Sequence, residues 1–232
     1  WPSRSSYFGI NDLAGLPKDR YYLYRSRWNT KDETLHVLPH WNWEGREGET
    51  TPVFVYTNYN SAELFLNGKS LGIQTKNNSS PQHRYRLMWM DVNYEPGTLK
   101  VVALDDEGNP VAEKEIKTSG KPHQLVLEPD TSTLKADGED LAFVTVSVVD
   151  ENGIPCPTAT NQLEFKVEGS GTFRAACNGD ATSLEPFHLP TMKLFSGKLV
   201  VLVQSTKEAG AITLTVSGKG LKSATVQLKS SK

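Results

Sequence analysis

"AELFLNGKSLG", residues 62–72, sets the reading of the chain. Leu64 and Leu66 fall on one side of an extended backbone and Phe65 on the other. Asn67-Gly68 then supplies the positive φ angles of a two-residue hairpin turn. The flanking segments repeat the pattern. "TPVFVYT" (51–57) sets Val53 and Val55 against Phe54 and Tyr56. "RYRLMWMDV" (84–92) sets Tyr85, Leu87 and Trp89 against Arg84, Arg86 and Met88. "GTLKVVAL" and "VAEKEIK" flank an acidic turn, Asp105-Asp106-Glu107-Gly108-Asn109.

A second series follows the linker "SGKPH" (119–123). Its strands read "QLVLEP", "LAFVTVSVVD", "NQLEFKVEG", "KLVVLVQS", "AITLTVS" and "SATVQLK", with turns at "DGED" (137–140) and within "DENGIP" (150–155). Residues 171–197 are patterned more weakly and are expected to hold loops. Short strands at regular spacing, punctuated by turn residues, predict a mainly β chain with two immunoglobulin-like β-sandwiches. The expected boundaries are 30–119 and 120–232.

Residues 1–29 differ. Pro17 suits a first helical position, where its missing N–H costs nothing. From it "PKDRYYLYRSRW" spaces Tyr21, Tyr24 and Trp28 for one apolar face, with Lys18, Arg20, Arg25 and Arg27 largely elsewhere. One helix is not a domain, so this segment is expected to be the end of a larger body. The chain opens on Trp1 without a charged-then-apolar leader, the opening expected of a cut end.

The 232 residues carry a formal charge of −2 and a pI near 6.3, so no strong field directs the chain to nucleic acid or to a membrane surface. No apolar run approaches the length needed to span a bilayer. Two cysteines, Cys156 and Cys177, are too few for a disulfide-stapled scaffold, and a single bridge between them is left open.

The densest chemistry lies in "HVLPHWNWEG" (36–45). His36 and His40 lack the geometry for a metal: Pro39 forbids an undisturbed helix, and a strand holds them too far apart. Neither a metal nor a cofactor is expected. Trp41 and Trp43 could stack on a sugar, with Asn42 or Glu44 on its hydroxyls, or could form core or a domain seam. Tyr56, Tyr59 and Trp89 join them as exposed-looking aromatics. The acids Asp105, Asp106, Glu107, Asp137, Glu139, Asp140, Asp150, Glu151 and Asp180 sit in turns and are expected to be solvated. Glycoside hydrolysis uses two carboxylates set across the bond, and no catalytic residue is assigned. "DDEGN" lacks the ligands of a calcium loop, and no nucleophile elbow or phosphate loop occurs. Asn77 and Asn78 each begin an N-x-S sequon.

In order, the segments resemble a family. "WPSRSSYFGINDLAGLPKDRYYLYRSRW" is similar to the last strand-loop-helix unit of the (β/α)8 barrel of bacterial family 2 glycoside hydrolases, chiefly β-galactosidases. "LHVLPHWNWEGREGE" and "VFVYTNYNSAELFLNGKSLG" resemble the segment and sandwich that follow it. "ADGEDLAFVTVSVVDENGIPCPTATNQLEFKVEGSG", "NGDATSLEPF" and "SGKLVVLVQSTKEAGAITLTVSG" resemble the C-terminal immunoglobulin-like domain. Essentially the whole chain is covered, and Cys177 departs from the acidic or polar residue usual before "NGD".

The resemblance implies a truncated barrel tail at 1–29 and a non-catalytic accessory region whose parent enzyme hydrolyses β-galactosides. The catalytic glutamates would lie upstream, and the barrel of the same chain would be the partner. It further implies Trp1 as a sugar-stacking residue with Ser3 and Arg4 beside it, homodimerisation, and a periplasmic or secreted location. An independent carbohydrate-binding module and immunoglobulin-like spacer domains of a bacterial surface protein remain the alternatives.

Overall fold

The computed structural model describes residues 7–232, which divide into two compact units: Pro17–Thr118, and Ser119–Lys232 together with residues 7–16. The first unit contains helix α1 (Asp19–Trp28) and strands β1 (Leu35–Leu38), β2 (Val53–Thr57), β3 (Ser61–Leu66), β4 (Lys69–Thr75), β5 (Leu87–Trp89), β6 (Thr98–Leu104) and β7 (Pro110–Lys117). They form two antiparallel sheets, β1-β2-β5 and β4-β3-β6-β7.

Alternation explains the core between these sheets. Val53 and Val55 on β2 meet Leu64 on β3 and Leu99 and Val101 on β6, all fully buried. The hairpin turn is as read: Asn67 and Gly68 have φ of 51° and 82°. Asn67 also anchors the neighbouring strand, its side-chain oxygen accepting from the Thr98 N–H at 2.9 Å.

The second unit holds β8 (Gln124–Pro129), β9 (Thr133–Lys135), β10 (Leu141–Val149), β11 (Gln162–Gly169), β12 (Gly171–Cys177), β13 (Thr191–Lys193), β14 (Lys198–Ser205), β15 (Gly210–Gly218) and β16 (Ala224–Ser231). Its sheets run β12-β14-β10-β8 and β13-β11-β15-β16-β9, with β9 parallel to β16. Val144 and Val146, Val201 and Val203, and Leu214 and Val216 point between them.

Residues 171–197 are not all loop: β12 and β13 lie within them. β12 is an edge strand whose register slips between Phe173 and Ala175, and that bulge erases the alternation by which a strand is recognised. Cys156 and Cys177 are both thiols, so the bridge left open by the sequence is not made.

One glycine shows how tightly the second unit is built. Gly169, at φ +87°, ends β11 where a Cβ would lie 2.2 Å from the Ala211 carbonyl oxygen. Gly169→Ala therefore meets both a disfavoured backbone region and a collision with main chain. It is expected to lower stability by about 2 kcal/mol or more, read as a lower melting temperature in calorimetry. An unchanged melting temperature would sink this account.

Candidate functional site

Helix α1 lies on the outer face of β1 and β2. Val37 and Val55 are directly paired and face the core, so the next pair, His36 and Tyr56, faces the opposite way. Tyr22 stacks on His36 with ring centroids 3.9 Å apart and planes 8° from parallel. Asp19, one turn earlier, reaches His36 Nε2 at 2.8 Å. Ser26, one turn later, is buried and donates to the Leu23 carbonyl. Arg25 donates to the Glu33 carbonyl and the Thr34 hydroxyl.

The packed face is thus Asp19, Tyr22 and Ser26, spaced at three and four residues. It is distinct from the Tyr21, Tyr24 and Trp28 face, which is expected from the sequence to meet a larger body rather than this sandwich. Of those three, Tyr24 stacks on Trp28 at 4.8 Å, and Trp28 is 74% exposed.

The two tryptophans of the 36–45 stretch part company. No strand continues past Leu38, so they do not share an extended face. Trp41 turns into the core of the first sandwich at 1% exposure. Its indole N–H donates to the Glu95 carbonyl at 2.9 Å, and its ring meets Tyr94 edge-on at 5.2 Å. Trp43 stays half-buried between His40, stacked at 4.4 Å, and the Arg46 guanidinium, 5.0 Å from its ring. Burial holds the His40 pKa below its ordinary value, against an opposing pull from Asp19.

The aromatics expected to be exposed are mostly not: Tyr56 and Trp89 are also buried. The amphipathic rings of Trp and Tyr let each close a core while its polar end finds a partner, as the Trp89 indole does on the Gly72 carbonyl. Tyr59 is half-buried and donates its hydroxyl to Glu33.

At one end of the second unit, the "CNGD" turn holds residues 7–16. Gly179 approaches Asp12 so closely that a Cβ would lie 2.2 Å from its carboxylate. The Asp12 carboxylate in turn accepts from the N–H groups of Ala14 and Leu16, both at 2.9 Å. The Cys177 thiol donates to the Leu13 carbonyl at 3.3 Å. Cysteine therefore serves here as a small, weak donor that pins a backbone carbonyl. Beneath the turn, Asn178 is 4% exposed and donates to the Lys193 carbonyl. A cleft of about 590 Å³ opens beside it, lined by Asn178, Asp180, Glu185, Lys193 and Phe195.

Asp180 is held below its ordinary carboxyl pKa, chiefly by the Thr182 hydroxyl. The hydrogen bonds it accepts favour the ionised carboxylate, the opposite of the protonated carboxyl that acid catalysis requires. Trp1, Ser3 and Arg4 lie outside the described residues. Asp150, expected to be solvated, is instead 2% exposed and satisfied by backbone N–H groups. Its turn spacing was legible, but nothing local signalled that the linker at Gly120 would close over it.

Comparison with known proteins agrees with this architecture. Residues 125–227 match the glycoside hydrolase family 2 C-terminal domain 5, and residues 48–112 match a domain of unknown function, DUF4982. The chain is 46% identical to a β-galactosidase of Bacteroides ovatus over 229 residues, 98% of the chain and 26% of that protein. It is 30% identical to a β-glucuronidase of Formosa agariphila, over 96% of the chain and 22% of that protein. A crystal structure of a β-glycosidase from Bacteroides vulgatus superimposes with a TM-score of 0.91 at 38% identity, over 99% of the chain and 29% of that chain. The chain thus spans between a fifth and a third of the length of these relatives. Two tandem sandwiches of this kind, matched along nearly their whole length by the same group of glycosidases, belong to glycoside hydrolase family 2, and the chain is a C-terminal accessory region of that family.

Proposed function

We propose that the chain is the non-catalytic accessory region of a retaining β-galactosidase, and that it packs against a catalytic (β/α)8 barrel in the same parent protein. The observation that carries this reading is the 46% identity to a β-galactosidase across 98% of the chain. In the parent, two barrel carboxylates would perform the double displacement on terminal β-galactosides. Residues 1–29 would close the barrel, and Trp1, Ser3 and Arg4 would border the sugar at the C-terminal ends of its strands. The outward Tyr24–Trp28 stack, with Trp28 74% exposed, supplies an aromatic surface suited to such packing.

The parent would act in the periplasm or outside the cell, as a homodimer. No helix among the described residues is long and apolar enough to cross a membrane. Burial of Trp41, Tyr56 and Trp89 takes away three of the five aromatics that favoured an independent sugar-binding module and leaves Trp43 and Tyr59 half-buried.

Two measurements test the proposal. The purified chain is expected to show no hydrolysis of nitrophenyl β-galactoside above buffer, and turnover would end the non-catalytic reading. The parent protein is expected to prefer that substrate to nitrophenyl β-glucuronide. The reverse preference would replace β-galactosidase by β-glucuronidase.

A further inference from the structure

The first sandwich carries a cleft of about 470 Å³ in which three cations gather: Arg27 at the end of α1, Lys76 just beyond β4, and Arg84. Arg27 and Arg84 stand 5.6 and 5.8 Å from the same Tyr85 ring. Lys76 is half-buried and donates to the Thr57 carbonyl at 2.5 Å. Burial, and then the nearby Arg27 charge, push its pKa down to about 8. Among the described residues, none of the three forms an ion pair with a carboxylate.

Two carboxylates also line the cleft. Each accepts from neutral donors and neither forms an ion pair with the three cations, so the cleft keeps an excess of positive charge. Asp105 accepts from the backbone N–H groups of Glu107 and Asn109 and from the Asn109 amide. Asp106 accepts from the Asn60 amide at 2.9 Å. A cation drawn out of water without a counter-charge is costly, and like charges beside it raise the cost. An incoming oxyanion would relieve both, and arginine forks bind carboxylates through paired N–H groups. Ser61 and Thr75 on the same walls offer hydroxyl groups that match a polyhydroxylated ligand.

We propose that this cleft binds a saccharide bearing an oxyanion, specifically the carboxylate of a uronic acid. It does so whatever chemistry the parent performs. Isothermal titration of the 232-residue chain with sodium glucuronate tests it, with glucose as the neutral counterpart and inorganic sulfate as the sugar-free anion. Glucuronate is expected to bind where glucose gives no heat. Lys76→Met and Arg84→Gln are each expected to weaken binding by about tenfold or more, with circular dichroism unchanged. Arg84 is exposed, so its variant reports on the cleft even if loss of Lys76 disturbs folding. Equal binding of glucuronate and glucose, or wild-type affinity in a folded Arg84→Gln, overturns the proposal. Sulfate binding as tight as glucuronate overturns the saccharide assignment.

Discussion

Trp41→Ala is expected to destabilise the first sandwich by about 3–5 kcal/mol, the range for removing a large aromatic from a packed core. The indole is 1% exposed and ties together pieces distant in the chain. Its N–H bonds the Glu95 carbonyl, 54 residues away, while the Trp41 backbone carbonyl accepts from the Thr118 hydroxyl. Truncation leaves a cavity against Tyr94 and an acceptor without its donor. Chemical denaturation followed by hydrogen exchange would localise the loss to Pro17–Thr118, with β10 and β14 still protected. Trp43→Ala is the control, because that ring is only half-buried and its loss should cost much less. Equal losses in the two variants would contradict the assignment of Trp41 to the core.

Asp150→Ala is the second large effect. One carboxylate oxygen accepts from the N–H groups of Asn152 and Ile154, both at 2.9 Å, and the other from Gly120 at 2.7 Å. The substitution strands three donors in a site where the side chain is buried, a cost of about 3 kcal/mol or more. Burial by itself would push this carboxyl's pKa up. The N–H groups of Gly120, Ile154 and Asn152, helped by His123, outweigh it and hold the pKa below the ordinary value.

A depressed folded-state pKa gives stabilisation that is complete above the unfolded value, about 3.9 for Asp. That stabilisation drains away as pH falls through the lower folded value. The pH-dependent part of the wild-type advantage over Asp150→Ala should therefore be full at pH 6 and shrink below about pH 4. Urea midpoints measured across that range would show it. A difference between the two proteins that does not change with pH would rule out the ionised carboxylate as the cause.

The strands carrying both cores were legible because alternation is a local property. Val53 and Val55, or Leu64 and Leu66, declare a buried face without reference to anything distant. The Asn67-Gly68 turn was legible for the same reason, since its φ angles depend on the two residues themselves. β12 was not, because its bulge interrupts the alternation at Phe173 and Ala175. Asp150 looked like any other turn acid until Gly120 came down upon it.

The amino-acid sequence by itself determined that the chain is two β-sandwiches with a short helix before them, and where most strands begin and turn. Tertiary structure alone decided which surfaces are spent and which are left open. It chose Tyr22 over Tyr21 and Tyr24 as the helix's packing residue by placing His36 beneath it. It sent Trp41 inward and left Trp43 against His40 and Arg46. It also brought Arg27, Lys76 and Arg84 to one cleft from separate parts of the chain. Periodicity reports the direction of a side chain relative to its own backbone. What covers that side chain, and which charge faces it, depends on elements tens of residues away, whose packing no local pattern encodes.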